Sequence, residues 1–200
     1  MKGGAPPRRH KRGRLISAAR ELFHRRGYAC TSLAMVAEHA DVPLDNVYYY
    51  FRTKGALAAA VVGAHLTDLE AVIEECRVEH SPISRLESFV DRMTDESGSI
   101  SAFGCPLGSL VGEMERGDGE VGARRLFELQ LDWIAAQLGG LQDEEAQLEL
   151  TIRVVSGIQG AAALAQGLGD PAVLDSARGA LRRLLRDALR SRTDRSNSGD

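Results

Sequence analysis

Residues 14–54, RLISAARELFHRRGYACTSLAMVAEHADVPLDNVYYYFRTK, decide the fold. Leu15, Ala19, Leu22 and Phe23 recur at i, i+4, i+7 and i+8, the stripe of a helix with one buried face, and Gly27 supplies a left-handed stop. Thr31 or Ser32 can cap a second short helix bearing Leu33, Val36 and Ala37. The tight turn Ala40-Asp41-Val42-Pro43 leads into a third helix, from about Leu44 to Phe51, with Val47 and Phe51 as its buried face. Two short helices joined by a tight turn, behind a basic approach, make a helix-turn-helix pattern. An ordinary helical hairpin shares that pattern and is the competing reading. Asp41 stands where many such motifs carry glycine, and Asp tolerates left-handed backbone better than most residues.

Tyr48, Tyr49, Tyr50 and Phe51 are four of the ten aromatics in the chain. Successive helical side chains point about 100° apart, so one buried face cannot hold all four. Some of the tyrosines must face water or a partner.

Charge points to what that partner is. Through residue 55 there are eleven Lys and Arg against four acids; the remainder carries fourteen against twenty-four, for a total of −3. A basic head on an acidic body is the footprint of a chain that meets a polyanion with one end. The arm Arg8, Arg9, Lys11, Arg12 and Arg14 either follows DNA or stays a solvated tail.

The rest of the chain narrows the class. A hydrophobic content of 44% is ample for a packed core, and no uninterrupted run of eighteen apolar residues marks a membrane span. The basic start MKGGAPPRRHKRGR lacks the apolar stretch of a secretory signal, so a cytoplasmic location with no membrane partner is expected. Cys30, Cys76 and Cys105 are an odd count without CxxC spacing, which argues against a disulfide framework or a structural zinc site. The five histidines are scattered, and HExxH, P-loop, GxSxG and dinucleotide fingerprints are all missing. No enzyme activity, metal or cofactor is expected.

Strand signals are nearly absent and helical periodicity is widespread, giving an all-α class. Further helices are predicted from Thr53 to about Val78 and over 82–97, 105–116, 120–140, 143–168 and 171–190. Asp170 caps the last of these and Pro171 starts it. Residues 1–11 read as a flexible basic arm, and the polar residues 191–200 as a disordered tail.

The blocks ELFHRRGY, TSL, VAEHADV and VYYYFRTK, in that order, resemble the N-terminal domain of TetR/AcrR-family transcriptional repressors over about residues 14–57. Three departures stand out: Asp41 for glycine, Pro43 for the usual Ser or Thr, and Asp45 for a common glycine. The first two are conservative in turn chemistry, whereas a carboxylate at Asp45 is repelled by DNA unless it accepts a hydrogen bond, for example from cytosine N4. The resemblance implies a three-helix DNA-binding domain over 12–57 and a helical ligand-binding and dimerisation domain over 58–190. It implies that Tyr48 and Tyr50 touch the DNA backbone, with Tyr49 more variable, and that Thr31 and Ser32 hold phosphates. Base reading falls to Leu44, Asp45 and Asn46. Lys54 has its own argument: a cation in the first turn of a helix opposes the dipole, a conflict that a phosphate resolves.

Past residue 57 the resemblance implies an effector domain of variable sequence. Segment 150–168 combines Leu150, Val154, Ile158 and Leu164 with Gly157, Gly160 and Ala161–Ala163, small residues that admit a second helix. With the stripe Leu174, Ala177, Leu181, Leu184, Leu185 and Ala188 it can form half of a four-helix homodimer interface, through helices near 143–168 and 171–190; packing inside a monomer is the alternative. The stretch SAFGCPLGSLVGEMERG resembles a GC-x-x-G element at the effector cavity in some branches of the family. Cys105 in it is either a reactive thiol near a helix N-terminus or a small buried hydrophobe. Phe89, Met93, Phe103, Met114, Phe127, Trp133 and Gln159 complete the candidate cavity lining, and each can equally be core.

Together these features predict a dimeric repressor that binds double-stranded operator DNA and is released by a small-molecule effector. A covalent electrophile or redox switch at Cys105, and a structural protein using the same fold without DNA, are the alternatives.

Overall fold

The computed structural model of the protein describes residues 8–95, 97–108, 110, 122, 124–139 and 144–196. Nine helices are found among the described residues: α1 (Arg8–Arg26), α2 (Leu33–His39), α3 (Leu44–Tyr50), α4 (Lys54–Cys76), α5 (Pro82–Met93), α6 (Ser97–Phe103), α7 (Arg125–Leu138), α8 (Glu144–Leu168) and α9 (Ala172–Ser196). The all-helical class expected from periodicity is the one observed. The chain divides into two compact units, Met1–Thr67 with Pro106–Leu126, and Asp68–Cys105 with Phe127–Asp200.

In the first unit the stripe Leu15, Ala19, Leu22 and Phe23 of α1 is buried, with Val36 and Ala37 of α2 and Val47 of α3. Gly27 ends α1 at φ 82°, and its N–H donates to Phe23 O at 2.9 Å. Ser32 caps α2, its Oγ accepting from the Met35 amide at 3.2 Å. The far end of α2 is a left-handed stop. The Asp41 amide donates to Glu38 O at 3.0 Å and the Val42 amide to Ala37 O at 2.9 Å, the paired bonds of a Schellman turn. Ala37 and Val42, the apolar pair that accompanies this turn, are both buried. Asp41 holds φ 48°, which for a residue with a Cβ costs on the order of 1 kcal/mol. Pro43, with φ −53°, then launches α3.

Residues 8–11, expected in a mobile arm, are instead the first turn of α1. Residues 1–7 lie outside the described residues.

In the second unit Phe89, Leu86, Ile134, Leu138, Val154, Ile158 and Leu185 form the main core. The helix expected over 82–97 ends at Met93. The reason is long-range: Arg178 donates through Nε to Thr94 Oγ1 and through Nη2 to Thr94 O, both at 2.8 Å. A second helix, α6, follows it. Gly104 then turns at φ 80°, and a Cβ there would stand 2.5 Å from Gln166 Oε1. Gly157 serves the α8–α9 contact within the chain, since a Cβ on it would meet Leu181 Cδ2 at 2.7 Å. Asp170 caps α9 as expected, its Oδ1 accepting from the Ala172 amide at 2.9 Å. That helix runs on to Ser196, beyond the expected end at 190, so residues 191–196 are helical rather than part of the expected tail. Of the helix expected over 105–116, residues 106–108 and 110 are helical; the rest is outside the described residues, as are 197–200.

Glu87 of α5 is the charged centre of the α5–α9 contact. Its side chain, 13% exposed, accepts from Arg182 Nη2 at 3.2 Å and from Arg186 Nη2 at 3.1 Å. Burial by itself would raise its pKa; the bonds and charges of Arg186 and Arg182 outweigh burial and hold it below the ordinary carboxylate value.

Candidate nucleic-acid interface

Seven residues of α3 carry two faces. Val47 and the following Phe51, 0% and 3% exposed, point into the first unit. Leu44, Tyr48 and Tyr49, at 39%, 51% and 66%, point out, with Asp45 exposed beside them. Asn46 and Tyr50 are half-buried, and the Tyr50 ring meets Tyr49 edge-on at 5.0 Å. The aromatic run therefore splits as helical geometry requires. Asp45 also has a local role, because a carboxylate in the first turn complements the helix dipole.

Thr31 is 2% exposed, and its hydroxyl donates to Gly27 O at 2.8 Å, so the side chain ties the α1–α2 turn. Ser32, the capping residue, is exposed. Lys54 Nζ donates to Ala29 O at 3.2 Å and stands over the Tyr28 ring, so the first-turn lysine has partners within the protein.

The basic approach is likewise partly engaged. Arg12 stacks over Phe51, 5.3 Å from the ring centroid. Arg14 Nη2 donates to Ala40 O, to Asp41 O at 2.7 Å and to Asp41 Oδ2 at 3.0 Å. One helical turn pair further along α1, Glu21 Oε2 accepts from His39 Nε2 at 2.9 Å. That hydrogen bond holds the Glu21 carboxyl below its ordinary pKa. None of these long-range bonds was foreseen from sequence; the only signal was an aspartate in a glycine position.

The effector candidates do not form one group. Phe89 is fully buried with its ring 5.0 Å from Trp133, and Met93 and Phe127 pack on the same core. Cys105 packs, partly buried, against a second cluster of Ile100, Ala161, Ala162, Ala165 and Leu174. Phe103 is partly buried, and Met114 lies outside the described residues. Two polar atoms stand out. Trp133 Nε1 and Gln159 Nε2 are buried donors without an acceptor among the described residues. Among the described residues no group of three His, Cys, Asp or Glu is placed to hold a metal ion.

Residues 15–61 match the family model described as bacterial regulatory proteins, tetR family. Over 178 residues the chain is 25% identical to an uncharacterized HTH-type transcriptional regulator in the lacX 3' region of Lactococcus lactis subsp. lactis, covering 84% of this chain and 89% of that protein. It is 30% identical over 115 residues to the transcriptional regulator AcuR of Cereibacter sphaeroides, covering 56% of this chain and 52% of the relative. Among solved structures, a TetR transcriptional regulator from Legionella pneumophila superposes with a TM-score of 0.77 at 21% identity, over 92% of this chain and 99% of the other. SCO4454, a TetR-family regulator from Streptomyces coelicolor, gives 0.74 at 19% identity, over 90% and 96%. The last two are likenesses of fold.

Proposed function

This chain is a TetR-family transcriptional regulator with an N-terminal helix-turn-helix domain, and from that premise we propose that it is a homodimeric repressor released from its operator by a small molecule. The observation that carries the DNA-binding half is the outward row on α3. Leu44, Tyr48 and Tyr49 are exposed on a helix whose opposite face is locked into the core. Large exposed apolar and aromatic side chains on one short helix call for a partner, and the basic head selects a polyanion. Leu44 suits a thymine methyl, Asn46 an adenine edge, and Ser32, Tyr48, Tyr50 and Lys54 the backbone. Tyr49 remains a candidate by its exposure.

A second copy is supported by α8. Its inward face is filled by Leu150, Val154, Ile158, Ala161 and Ala165. Its outward face carries Ile152, Leu164 and Leu168 at 50%, 59% and 69% exposure, with Gly160 facing open space. From Ser156 to Leu168 the sequence holds no charge. By length and composition α8 is apolar enough to cross a membrane, yet close to half of that window is already buried in the protein. An apolar face with small residues at its middle fits a symmetric helix pair.

The effector belongs, in this reading, to the unit containing Trp133 and Gln159. A buried donor without an acceptor costs about 1–3 kcal/mol, which a ligand oxygen recovers. Two heads about 34 Å apart fit successive turns of DNA, and effector binding favours another spacing. Operator DNA must then weaken effector binding by the same factor. A gel shift with DNA upstream of the protein's own gene tests the reading; no shift at low salt, with the chain folded, rejects it.

A further inference from the structure

We propose that Arg14 is a positioning residue for operator recognition: together with Glu21 it forms a clasp from α1 onto the helix-turn-helix turn that sets the angle of α3. This rests on the reading that α3 meets DNA.

Arg14 and Glu21 are seven residues apart on α1, two turns along one face. They grip three consecutive residues. Glu21 accepts from His39, the last residue of α2. Arg14 donates to the carbonyls of Ala40 and Asp41 and to the Asp41 carboxylate. The carbonyls matter more than the ion pair, since the Asp41 side chain is 98% exposed and solvent screens its charge. A guanidinium on the free carbonyls that follow a helix both satisfies them and complements the dipole.

Only Val42 and Pro43 separate this grip from Leu44, the first residue of α3. Pro43 has a ring-fixed φ and the Val42 amide is bonded to Ala37 O, while Asp41 holds the left-handed conformation that turns the chain. A glycine there would adopt that conformation unaided. Here a side chain that resists it is held by a bond from 27 residues away. The charge of Arg14 is thus committed to the protein's own turn, which separates it from basic residues that act on phosphate.

Operator affinity is measured by fluorescence anisotropy on duplex DNA from upstream of the protein's own gene, across a salt series, with amide exchange of the free protein as a second readout. Arg14→Ala is expected to weaken binding about tenfold, the scale of a lost charged hydrogen bond, with the slope of log affinity against log salt unchanged. Asp41→Gly in that background is expected to restore most of the affinity. Arg14→Lys, which keeps the charge on a shorter head and protects against a variant that fails to fold, is expected to weaken binding and be rescued in the same way. In the free protein, the Val42 and Asn46 amides, which donate to Ala37 O and Pro43 O, are expected to exchange faster in both single variants.

A salt slope reduced by about one with no rescue by glycine overturns the proposal and makes Arg14 a phosphate contact. If the wild-type protein fails to bind the fragment, the DNA reading has failed there, and unchanged amide exchange in the Arg14 variants alone overturns the clasp.

Discussion

Lys54 Nζ lies 4.2 Å from the centroid of the Tyr28 ring, a cation placed over an aromatic face at the start of a helix whose dipole repels it. The Ala29 carbonyl takes one of its three protons, and two remain for a further acceptor. Lys54→Met removes a cation–π contact worth about 0.5–1 kcal/mol and the exposed bond to Ala29 O, but also a dipole conflict of about 0.3–1 kcal/mol, so thermal stability is expected to fall only slightly. Operator affinity is expected to fall, with the salt slope reduced by about one. Lost stability with an unchanged slope assigns Lys54 to the turn alone.

The tyrosines can be ranked by removing one hydroxyl at a time. Tyr48→Phe and Tyr50→Phe are each expected to weaken operator binding about five- to tenfold, the scale of a single phosphate hydrogen bond. Tyr49→Phe is expected to cost less than about twofold, although Tyr49 is the most exposed of the three at 66%. A loss at Tyr49 larger than the loss at half-buried Tyr50 would show that exposure, and not the family pattern, decides which hydroxyl reaches DNA. Circular dichroism of each variant separates binding from folding.

What was legible in the sequence was local. The stripe Leu15, Ala19, Leu22 and Phe23, the Ser32 and Asp170 caps, and the Val47–Phe51 face each depend on residues within about eight positions, and each is present. What was not legible depends on distant partners. Thr31 and Ser32 are equally good caps by type, and only the packed turn sends the Thr31 hydroxyl to Gly27 O. The stop at Thr94 is capped by Arg178, 84 residues away, and the Asp41 turn is bonded by Arg14, 27 residues away. The candidate cavity was least legible, because Phe89, Trp133 and Cys105 are apolar residues that any core would use, and they pack in two clusters.

Glu87 predicts the acid limb of stability in the second unit. Its folded carboxyl titrates below its ordinary value of 4.5, held there by Arg186 and Arg182 against the effect of burial. The unfolded chain therefore takes up a proton first as pH falls, and the contribution of Glu87, complete above about 4.5, is lost as pH drops through the lower folded value. Glu87→Gln is expected to lower the melting temperature at pH 7 and to flatten its decline between pH 5 and 3. A wild-type slope in the Gln variant would place the acid sensitivity on other carboxylates. Glu87→Ala should be more damaging than Gln at pH 7, since it also removes the hydrogen bonds that Arg186 and Arg182 Nη2 make to it, leaving Arg182 only its pairing with Asp91.

The outward face of α8 separates two roles of small residues on one helix. Gly157 has no room, with Leu181 Cδ2 at 2.7 Å from a Cβ built on it, whereas a Cβ on Gly160 meets nothing within 4 Å among the described residues. Gly157→Ala is expected to destabilise the chain itself by about 1–3 kcal/mol through overpacking. In a monomer Gly160→Ala would gain up to about 1 kcal/mol of helix propensity, so any loss there reports a second copy packed against it. Leu164→Glu puts a carboxylate at the centre of that face while leaving the buried residues Leu150, Val154, Ile158, Ala161 and Ala165 of α8 unchanged. If α8 carries the proposed dimer interface, the variant is expected to sediment as a monomer where the wild-type protein sediments as a dimer, with helical content unchanged. Operator affinity should fall with it, because one head holds only one half-site. A Leu164→Glu protein that still sediments as a dimer would move the interface away from α8.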